Sequence, residues 1–345
     1  MHRFVVVALV LSLAGCGPGD GPEPSGPEEE VTRTERLERL LGAVAHDSTL
    51  GRRTGSPENR EVAEFLAAEL ASYGVQPAFE DGFLQPVPLA RTDGGLALPS
   101  AELSLDTLPP DRLLTGEVNV VGVIPGTDPE RADEVVVLGA HFDAVGVGQA
   151  VEGDSIYNGA DDDGTGTVAV LEIARSLALR PAGRTVLILL STAEEQGLLG
   201  TRWYLEEPAL PLERTVADFQ IEMIGRPDSL AGGPGRGWLT GYERTTMGQQ
   251  LAEAGSPIVP DPRPEMRFFF RSDNLPFALR GIPAHTLSSY GMHTDYHQPS
   301  DEVEAVDFVH MTALVDAAEE AVRFLGDGPR PSWTEGGQDG LPGVP

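Results

Sequence analysis

Five short runs of almost uninterrupted apolar residues alternate with segments of helical periodicity. The runs span 119–124, 135–138, 185–190, 217–221 and 282–287, and the helical segments span 166–179, 198–206, 246–254, 275–279 and 307–324. A strand that is apolar at every position needs cover on both faces, because a strand with one solvated face alternates apolar and polar residues. Interleaved helices supply that cover. The pattern therefore predicts a single α/β domain with a mixed, mostly parallel central sheet flanked by helices on both faces.

Two helices and a β-rich segment are predicted ahead of this pattern. Leu37, Leu40 and Leu41 recur at helical spacing, and a second helix is predicted between Ser56 and Tyr73. Ser56 suits the capping position, since its hydroxyl can accept a hydrogen bond from a free N–H of the first turn. The segment 78–105 is predicted to be rich in β-structure.

Residues 1–15 have the pattern of a secretory signal peptide, with an apolar run that ends at Leu13. That run is shorter than the roughly 18 residues that a membrane-spanning helix needs. Cys16, the only cysteine of the chain, follows directly, which is typical of a bacterial lipoprotein signal. The alternative is an ordinary signal peptide followed by an incidental cysteine. We expect Cys16 to carry lipid and to anchor the protein to a membrane of the bacterial cell envelope, on the periplasmic or surface side.

The two ends of the chain differ in composition from its middle. Residues 16–31 are rich in Gly, Pro and Glu, and they are expected to form a disordered tether because they cannot bury apolar surface. Residues 326–345 are also rich in Gly and Pro and are expected to form a disordered tail. The folded domain is therefore predicted to span residues 32–325.

Charge and residue usage exclude several classes of function. Asp and Glu number 54 against 24 basic residues, for a net charge of -30, and every basic residue is arginine. Because the phosphates of nucleic acids repel such an acidic chain, we expect no nucleic-acid partner. The absence of lysine excludes a phosphate-binding P-loop and Schiff-base chemistry. A single cysteine excludes an internal disulfide and a thiolate zinc cluster.

Metal-ligating side chains follow the apolar run 135–138. His141 and Asp143 come first. Because residues two apart on a strand face the same side, Asp143 can hydrogen-bond the ring nitrogen of His141 that a metal leaves free. Three consecutive aspartates, 161–163, then precede the helix at 166–179. A cation among them would relieve their mutual repulsion, although a helix cap explains an aspartate there equally well.

Two more carboxylate motifs follow later runs. Glu194 and Glu195 come after the run 185–190, and their diverging side chains suit a split task, one ligating metal and the other moving protons. A solvated helix start is the alternative explanation for this pair. Glu222 directly follows the apolar run 217–221, where a carboxylate is costly unless it is paired or bound to metal.

Three histidines lie near the last apolar run. His293 and His297 have the spacing of a helical zinc motif, but Thr294 replaces its glutamate and Pro299 disfavours a helix there. His297 is the candidate ligand. His285 lies within the apolar run and is expected to be a core histidine.

Together these motifs supply the ligand inventory of a two-zinc hydrolytic site. Their order is His-x-Asp, Asp-Asp-Gly-x-Gly, Glu-Glu, an acidic residue and His, and it resembles the di-zinc exopeptidase family of bacterial secreted aminopeptidases. The resemblance extends over nearly the whole predicted domain, from the Gly-Arg-Arg-Thr-Gly-Ser-Pro motif at 51–57 to the His-Gln-Pro-Ser-Asp motif at 297–301.

The resemblance implies a ligand set for two Zn²⁺ ions per chain. His141 and Glu222 would bind one zinc, Glu195 and His297 would bind the other, and Asp162 would bridge them. The family usually has Asp at the position of Glu222, and the extra methylene is tolerable because a carboxylate can ligate through one or two oxygens.

The resemblance also implies three roles outside that ligand set. Glu194 would be the general base, taking a proton from the water that bridges the zinc ions and passing it to the leaving amine. Tyr296 would steady the oxyanion of the tetrahedral intermediate, and Asp143 would orient His141. The family often has His at the position of Asn274, which is not among these residues.

The implied function is a zinc-dependent aminopeptidase that acts on peptides with a free N-terminus. Three alternatives are a carboxypeptidase relative, a cyclase-like enzyme with one zinc, and a lipid-anchored binding protein that keeps the fold without catalysis. Met223, Met266 and the aromatic run 268–270 are candidates for the pocket that receives the first residue of the substrate, and they are equally compatible with the core.

Overall fold

A mixed sheet of nine strands is the centre of the structure, a computed structural model that describes residues 31–343. The predicted signal peptide, Cys16 and nearly all of the predicted tether lie outside the described residues. The described strands are β1 Gln76–Pro77, β2 Leu84–Pro86, β3 Leu89–Thr92, β4 Gly95–Ala97, β5 Leu113–Leu114, β6 Val118–Ile124, β7 Val135–His141, β8 Gly146–Val151, β9 Asp154–Tyr157, β10 Thr185–Ser191, β11 Thr215–Ile221, β12 Trp238–Leu239, β13 Val259–Pro260 and β14 Ala284–Ser288.

The large sheet has the order β1-β6-β10-β7-β11-β14-β12-β13, with β2 also paired to β6. Its four central strands, β10, β7, β11 and β14, are parallel, and antiparallel pairs with β6 and β12 flank them. Strands β3, β4 and β5 form a small sheet, and β8 pairs with β9 as a hairpin. The prediction of a mixed α/β fold is confirmed.

Helices cover the sheet on both sides. The described α-helices are α1 Arg33–Val44, α2 Pro57–Ser72, α3 Gly166–Leu179, α4 Leu199–Glu206, α5 Met247–Glu253, α6 Asn274–Leu279 and α7 Phe308–Asp327. Ser56 caps α2 by accepting a hydrogen bond from the N–H of Asn59, at 3.1 Å. Between residues 31 and 343, no helix combines the length and apolar character that crossing a bilayer requires.

Alternate residues of the central strands face different apolar clusters. Leu138, Ile188 and Phe219 pack in the cluster that includes α1, α2, α3 and α7. Val137 and Leu187 pack in the opposite cluster with residues of α4 and α6. Because both faces are buried, most positions of these strands are apolar, and this explains the runs that the sequence shows.

The central strands end at one edge of the sheet. His141, the last residue of β7, lies opposite Ser191, the last residue of β10. Gln220 of β11 lies opposite Gly139, so Glu222 leaves the sheet at the same edge. Parallel strands place their carboxyl ends together, and the ligand-type side chains therefore converge.

Arg52 joins the segment before α2 to this edge. Its fully buried guanidinium donates hydrogen bonds to the carbonyl oxygens of Phe142 and Gly159, each at 2.6 Å, and to that of Asn158. These carbonyls belong to the two loops that follow β7 and β9, so one side chain holds both loops in place.

The residues after α7 pack against the domain, which differs from the disordered tail expected from their composition. Leu341 is 3% exposed and shares an apolar cluster with Phe277. The indole N–H of Trp333 donates to the carbonyl of Gly281 at 2.8 Å, and Arg244 donates to that of Gly337 at 2.8 Å. Gly and Pro here form turns between anchor points, and the few apolar residues among them bind the segment to the core.

Substitution of a tail anchor tests this packing. Leu341→Ala should lower the free energy of unfolding by about 2 kcal/mol, because it removes a buried side chain and leaves a partial cavity. Chemical denaturation followed by circular dichroism measures the change, with exposed Glu335→Ala as the matched control. Equal stability of the two variants would support a disordered tail instead.

Candidate metal centre

A first group of ligand atoms lies at the end of β7. Ligand atoms of His141, Asp162 and Glu222 all lie within 4.8 Å of one another. The His141 Nε2 atom is 3.4 Å from Asp162 Oδ1 and, although buried, has no hydrogen-bond partner among residues 31–343. A buried ring nitrogen without a partner is costly, and a metal ion at this point would satisfy it.

A second group shares Asp162 with the first. His297 Nε2 lies 3.1 Å from Asp162 Oδ2 and 3.0 Å from Glu195 Oε1. Ligand atoms of Asp162, Glu195 and His297 also lie within 4.8 Å of one another. Asp162 therefore presents one oxygen to each histidine, which is the arrangement that a bridging carboxylate requires. All five residues expected as ligands are brought together.

The three consecutive aspartates have three separate tasks. Asp162 lies between the two ligand groups. Asp161 accepts hydrogen bonds from the N–H of Gly225 at 2.7 Å and from His293, whose Nε2 is 3.0 Å away. Asp163 accepts from the N–H of Gly166 at 3.0 Å, at the start of α3. The metal explanation of this motif thus applies to Asp162, and the helix-cap explanation applies to Asp163.

Asp301 holds the loop that carries Asp162. Its carboxylate accepts hydrogen bonds from the backbone N–H groups of Asp161 at 2.9 Å and Asp162 at 3.0 Å. Its carbonyl accepts a third, from Ala160, at 3.0 Å. Asp301 is buried and lies four positions after His297, so it connects the loops that carry two expected ligands.

Asp143 contacts His141 differently from the expected arrangement. The nearest partner of His141 Nδ1 is the backbone carbonyl of Asp143, at 3.1 Å, whereas the Asp143 carboxylate is 3.7 Å away. The carboxylate instead accepts from Thr54 Oγ1 at 3.0 Å and from the N–H of Glu194 at 3.1 Å. Strand geometry ends at His141, so the same-face relation of positions 141 and 143 does not hold.

Glu194 and Glu195 diverge, as expected for adjacent residues at a strand end. Glu195 reaches His297, whereas Glu194 Oε2 lies 3.8 Å from His141 Nε2. Ala193 before them has a φ of 57°, in the left-handed region that is unfavourable for residues other than glycine. Such strain persists where the surrounding structure enforces it, which is typical of functional loops.

Burial makes the carboxylates of this site hard to ionise. Burial and then the neighbouring carboxylates raise the pKa of Glu222 to about 7 and that of Glu194 well above its usual range, although His141 opposes both shifts. Burial and Asp162 likewise raise the pKa of Glu195. Ionised together, these carboxylates would repel one another, and divalent cations among them would offset that repulsion.

The two histidines respond in the opposite direction. Burial acts to lower the pKa of His297, but hydrogen bonds to Asp162 and Glu195 outweigh it and raise that pKa to about 10. Burial is likewise outweighed at His141, where Glu194 and other carboxylates raise the pKa. Two imidazoles among carboxylates are the nitrogen and oxygen donors that zinc takes in catalytic sites, so the residues present fit this metal.

Tyr296 lies beside the second ligand group. Its ring stacks on that of His297, with ring centres 3.9 Å apart and planes inclined by 19°. It also lines a cavity that reaches Glu222. Of the candidates for a substrate pocket, Met223 and Phe268 line this cavity, whereas Phe269 packs in the core.

The other polar residues singled out from the sequence lie apart from the ligand groups. His285 is fully buried between Thr245 and Thr240, and burial lowers its pKa to about 4, as expected for a core histidine. Asn274 is buried and accepts a hydrogen bond from Thr286 Oγ1 at 2.9 Å.

Sequence reasoning gave no role to Thr54, Arg52 or Asp301, which position the ligand loops. Thr54 and Arg52 lie in the motif at 51–57 and Asp301 ends the motif at 297–301, so both motifs marked the right segments. Their hydrogen bonds join residues more than 80 positions apart, and a linear pattern does not identify such partners.

Comparison with known proteins gives a family match and similar folds. The model of peptidase family M28 matches residues 119–322, more than half of the chain. A probable leucine aminopeptidase 2 from Aspergillus oryzae is 28% identical over 290 residues, which cover 81% of this chain and 54% of that protein. The chain thus spans about half the length of this curated relative.

Solved structures with low sequence identity have the same fold. A zinc aminopeptidase from Bacillus subtilis superimposes with a TM-score of 0.62 at 15% identity, over 87% of this chain and 97% of that one. Glutaminyl cyclase from Porphyromonas gingivalis superimposes with a TM-score of 0.60 at 17% identity, over 85% of this chain and 98% of that one.

Asp301 is expected to support metal binding through the loop that it holds. Asp301→Ala should weaken zinc binding by about 10- to 100-fold, because the loop that carries Asp162 loses two hydrogen-bond acceptors. Competition with a chromophoric chelator measures the affinity, and the exposed carboxylate variant Glu304→Ala is the control. Equal affinities in the two variants would show that Asp301 does not position the ligand loop.

Proposed function

The chain belongs to peptidase family M28, and from that premise we propose that it is a metallo-aminopeptidase that binds two zinc ions and removes N-terminal residues from peptides. One observation carries the proposal: Asp162 presents its two carboxylate oxygens to two separate histidine-containing groups. A structural carboxylate has no need of such a shared position, whereas a two-metal hydrolytic site requires one.

The proposed ligands divide into two sets around Asp162. His141 and Glu222 would hold one zinc, and Glu195 and His297 would hold the other. When bound, zinc lowers the pKa of a coordinated water and polarises the scissile carbonyl. The longer side chain of Glu222 still brings an oxygen within 4.8 Å of the ligand atoms of His141 and Asp162.

Glu194 is the proposed general base. Its side chain is about 10% exposed and ends 3.8 Å from His141 Nε2, so it lies at the centre without belonging to either ligand group. Burial holds its pKa well above that of an ordinary glutamate, which suits a group that takes a proton from water and returns it to a leaving amine. The hydrogen bond from its own N–H to Asp143 fixes its position.

Tyr296 is the proposed donor to the oxyanion that forms when water attacks a peptide carbonyl. Stacking on His297 fixes its ring, and its place in the cavity wall puts it next to bound substrate. Burial raises its pKa, so the hydroxyl keeps its proton and is available as a donor.

The surplus of carboxylates supports a substrate with a free amine. An N-terminal ammonium is attracted to the acidic centre, whereas an acetylated terminus has no charge to contribute. A lipid anchor on Cys16 and a cell-envelope location also stay proposals, supported by the sequence of residues 1–16 alone.

A paired measurement on the purified full-length chain tests this function. We expect two zinc ions per chain by elemental analysis and cleavage of Leu-Gly-Gly but not of its N-acetylated form. Release of ammonia from an N-terminal glutamine peptide without peptide cleavage would favour a cyclase-like enzyme. Failure to process either class of peptide would favour a binding protein of the same fold.

The division of roles predicts two different losses of function. Glu194→Ala should keep both zinc ions and lower kcat by about a hundredfold or more, because only proton transfer is removed. His297→Ala should bind one zinc. Metal analysis together with steady-state kinetics distinguishes them, and Glu206→Ala on the surface of α4 is the control. Normal turnover in Glu194→Ala would show that another residue is the base.

A further inference from the structure

The cavity beside the metal centre has a largely aromatic wall. Its lining includes Glu222 and the apolar or aromatic residues Met223, Trp238, Phe268, Tyr290 and Tyr296. Because it reaches both an expected ligand and the proposed oxyanion donor, it lies where the side chain of a bound N-terminal residue would enter. Two polar groups of its lining have no hydrogen-bond or ion-pair partner among the described residues.

The first such group is the indole N–H of Trp238. Trp238 is 1% exposed, and its Nε1 atom has no hydrogen-bond partner in the described part of the chain. Buried indole N–H groups usually have an acceptor. Trp238 belongs to the cavity lining, so an acceptor supplied by a ligand there would satisfy this donor.

The second group is the guanidinium of Arg271. It stacks on the ring of Phe268, with the guanidinium carbon 5.2 Å from the ring centre, and this contact fixes it at the cavity. It forms no ion pair within residues 31–343. Two nearby arginines are paired: Arg263 binds Asp228 at 2.6 Å, and Arg226 binds Asp295. Arg271 is exposed and lines the cavity, so its charge is available to a ligand there.

Two hydroxyl groups in the lining are engaged elsewhere. Thr286 donates to the side chain of Asn274 at 2.9 Å, and Ser288 donates to the carbonyl of Met223 at 3.3 Å. Glu222 contributes the one carboxylate of this lining, and it belongs to a ligand group. The free polar capacity of the wall therefore includes a hydrogen-bond donor and a positive charge.

We propose that this cavity selects an N-terminal residue whose side chain carries a carboxylate, glutamate or aspartate, with Arg271 and Trp238 as the specificity-determining residues. The inference rests on the proposed aminopeptidase function. A leucine side chain would leave the indole N–H and the guanidinium unpaired, and a lysine side chain would be repelled by Arg271. Sites built to hydrogen-bond a substrate group discriminate strongly against analogues that lack it.

The test compares kcat/KM of the full-length zinc-loaded enzyme for tripeptides Xaa-Gly-Gly, with Glu, Asp, Gln, Leu or Lys as the first residue. We expect Glu or Asp to exceed Leu by about tenfold or more, and Lys to be the poorest substrate. Raising the salt concentration should reduce the advantage of the acidic residues, since screening weakens their attraction to an exposed guanidinium.

Three variants separate charge from packing. Arg271→Met keeps an apolar stem over Phe268 and should lower kcat/KM for the acidic substrates by about tenfold or more while leaving Leu nearly unchanged. Arg271→Glu should invert the preference in favour of Lys. The control is Arg267→Met, because Arg267 stacks on Phe270 at 4.6 Å but does not line this cavity.

The outcomes distinguish this inference from the function on which it rests. If the wild-type enzyme cleaves none of the peptides, both fail. If it cleaves Leu-Gly-Gly at least as well as the acidic peptides, and Arg271→Met leaves the Glu-to-Leu ratio unchanged, the specificity is wrong and the aminopeptidase function stands. The role of Arg271 would also be overturned if Arg267→Met changed the Glu-to-Leu ratio of kcat/KM as much as Arg271→Met does.

Discussion

Repulsion among buried carboxylates at one edge of the sheet is the constraint on which the rest of this structure depends. Burial raises the pKa of Asp301 to about 7 and that of Asp273 to about 6, so even the acidic residues outside the ligand groups resist ionisation. The loops respond by aiming backbone N–H groups at carboxylates, as Asp301 and Asp163 show. The carboxylate charge that these backbone donors do not compensate lies around Asp162. Divalent cations there would complete the charge balance.

A single backbone turn connects the candidate metal centre with the proposed substrate cavity. Glu222 at the end of β11 belongs to a ligand group, and Met223 after it has a φ of 52°, which is strained for a residue with a side chain. The N–H of Met223 donates to Asp163, and its carbonyl accepts from the N–H of Ser289 at 3.0 Å, so neighbouring loops hold the turn. Because both residues line the cavity, the side chain that is recognised and the bond that is cleaved would be positioned together.

Hydrophobic periodicity predicted the regular elements closely and the irregular ones poorly. The segment predicted as a helix at 166–179 is α3, with the same bounds. The run predicted as a strand at 135–138 is only part of β7, because Gly139 and His141 interrupt the apolar pattern while their pairing with β10 continues. The tail was misjudged from its Gly and Pro content, since composition does not show that Leu341 and Trp333 have places to bind.

The sequence by itself determined the fold class, the family and the types and order of the candidate metal ligands, because all three depend on local pattern: apolar runs, turn residues and short polar motifs after strands. Only the tertiary structure decided that Asp162 faces both histidines, that Asp301 and Arg52 hold the loops, and that Arg271 and Trp238 meet at one cavity. These relations join residues that are far apart in the chain, and distances between such residues are fixed by the packing of the sheet and helices.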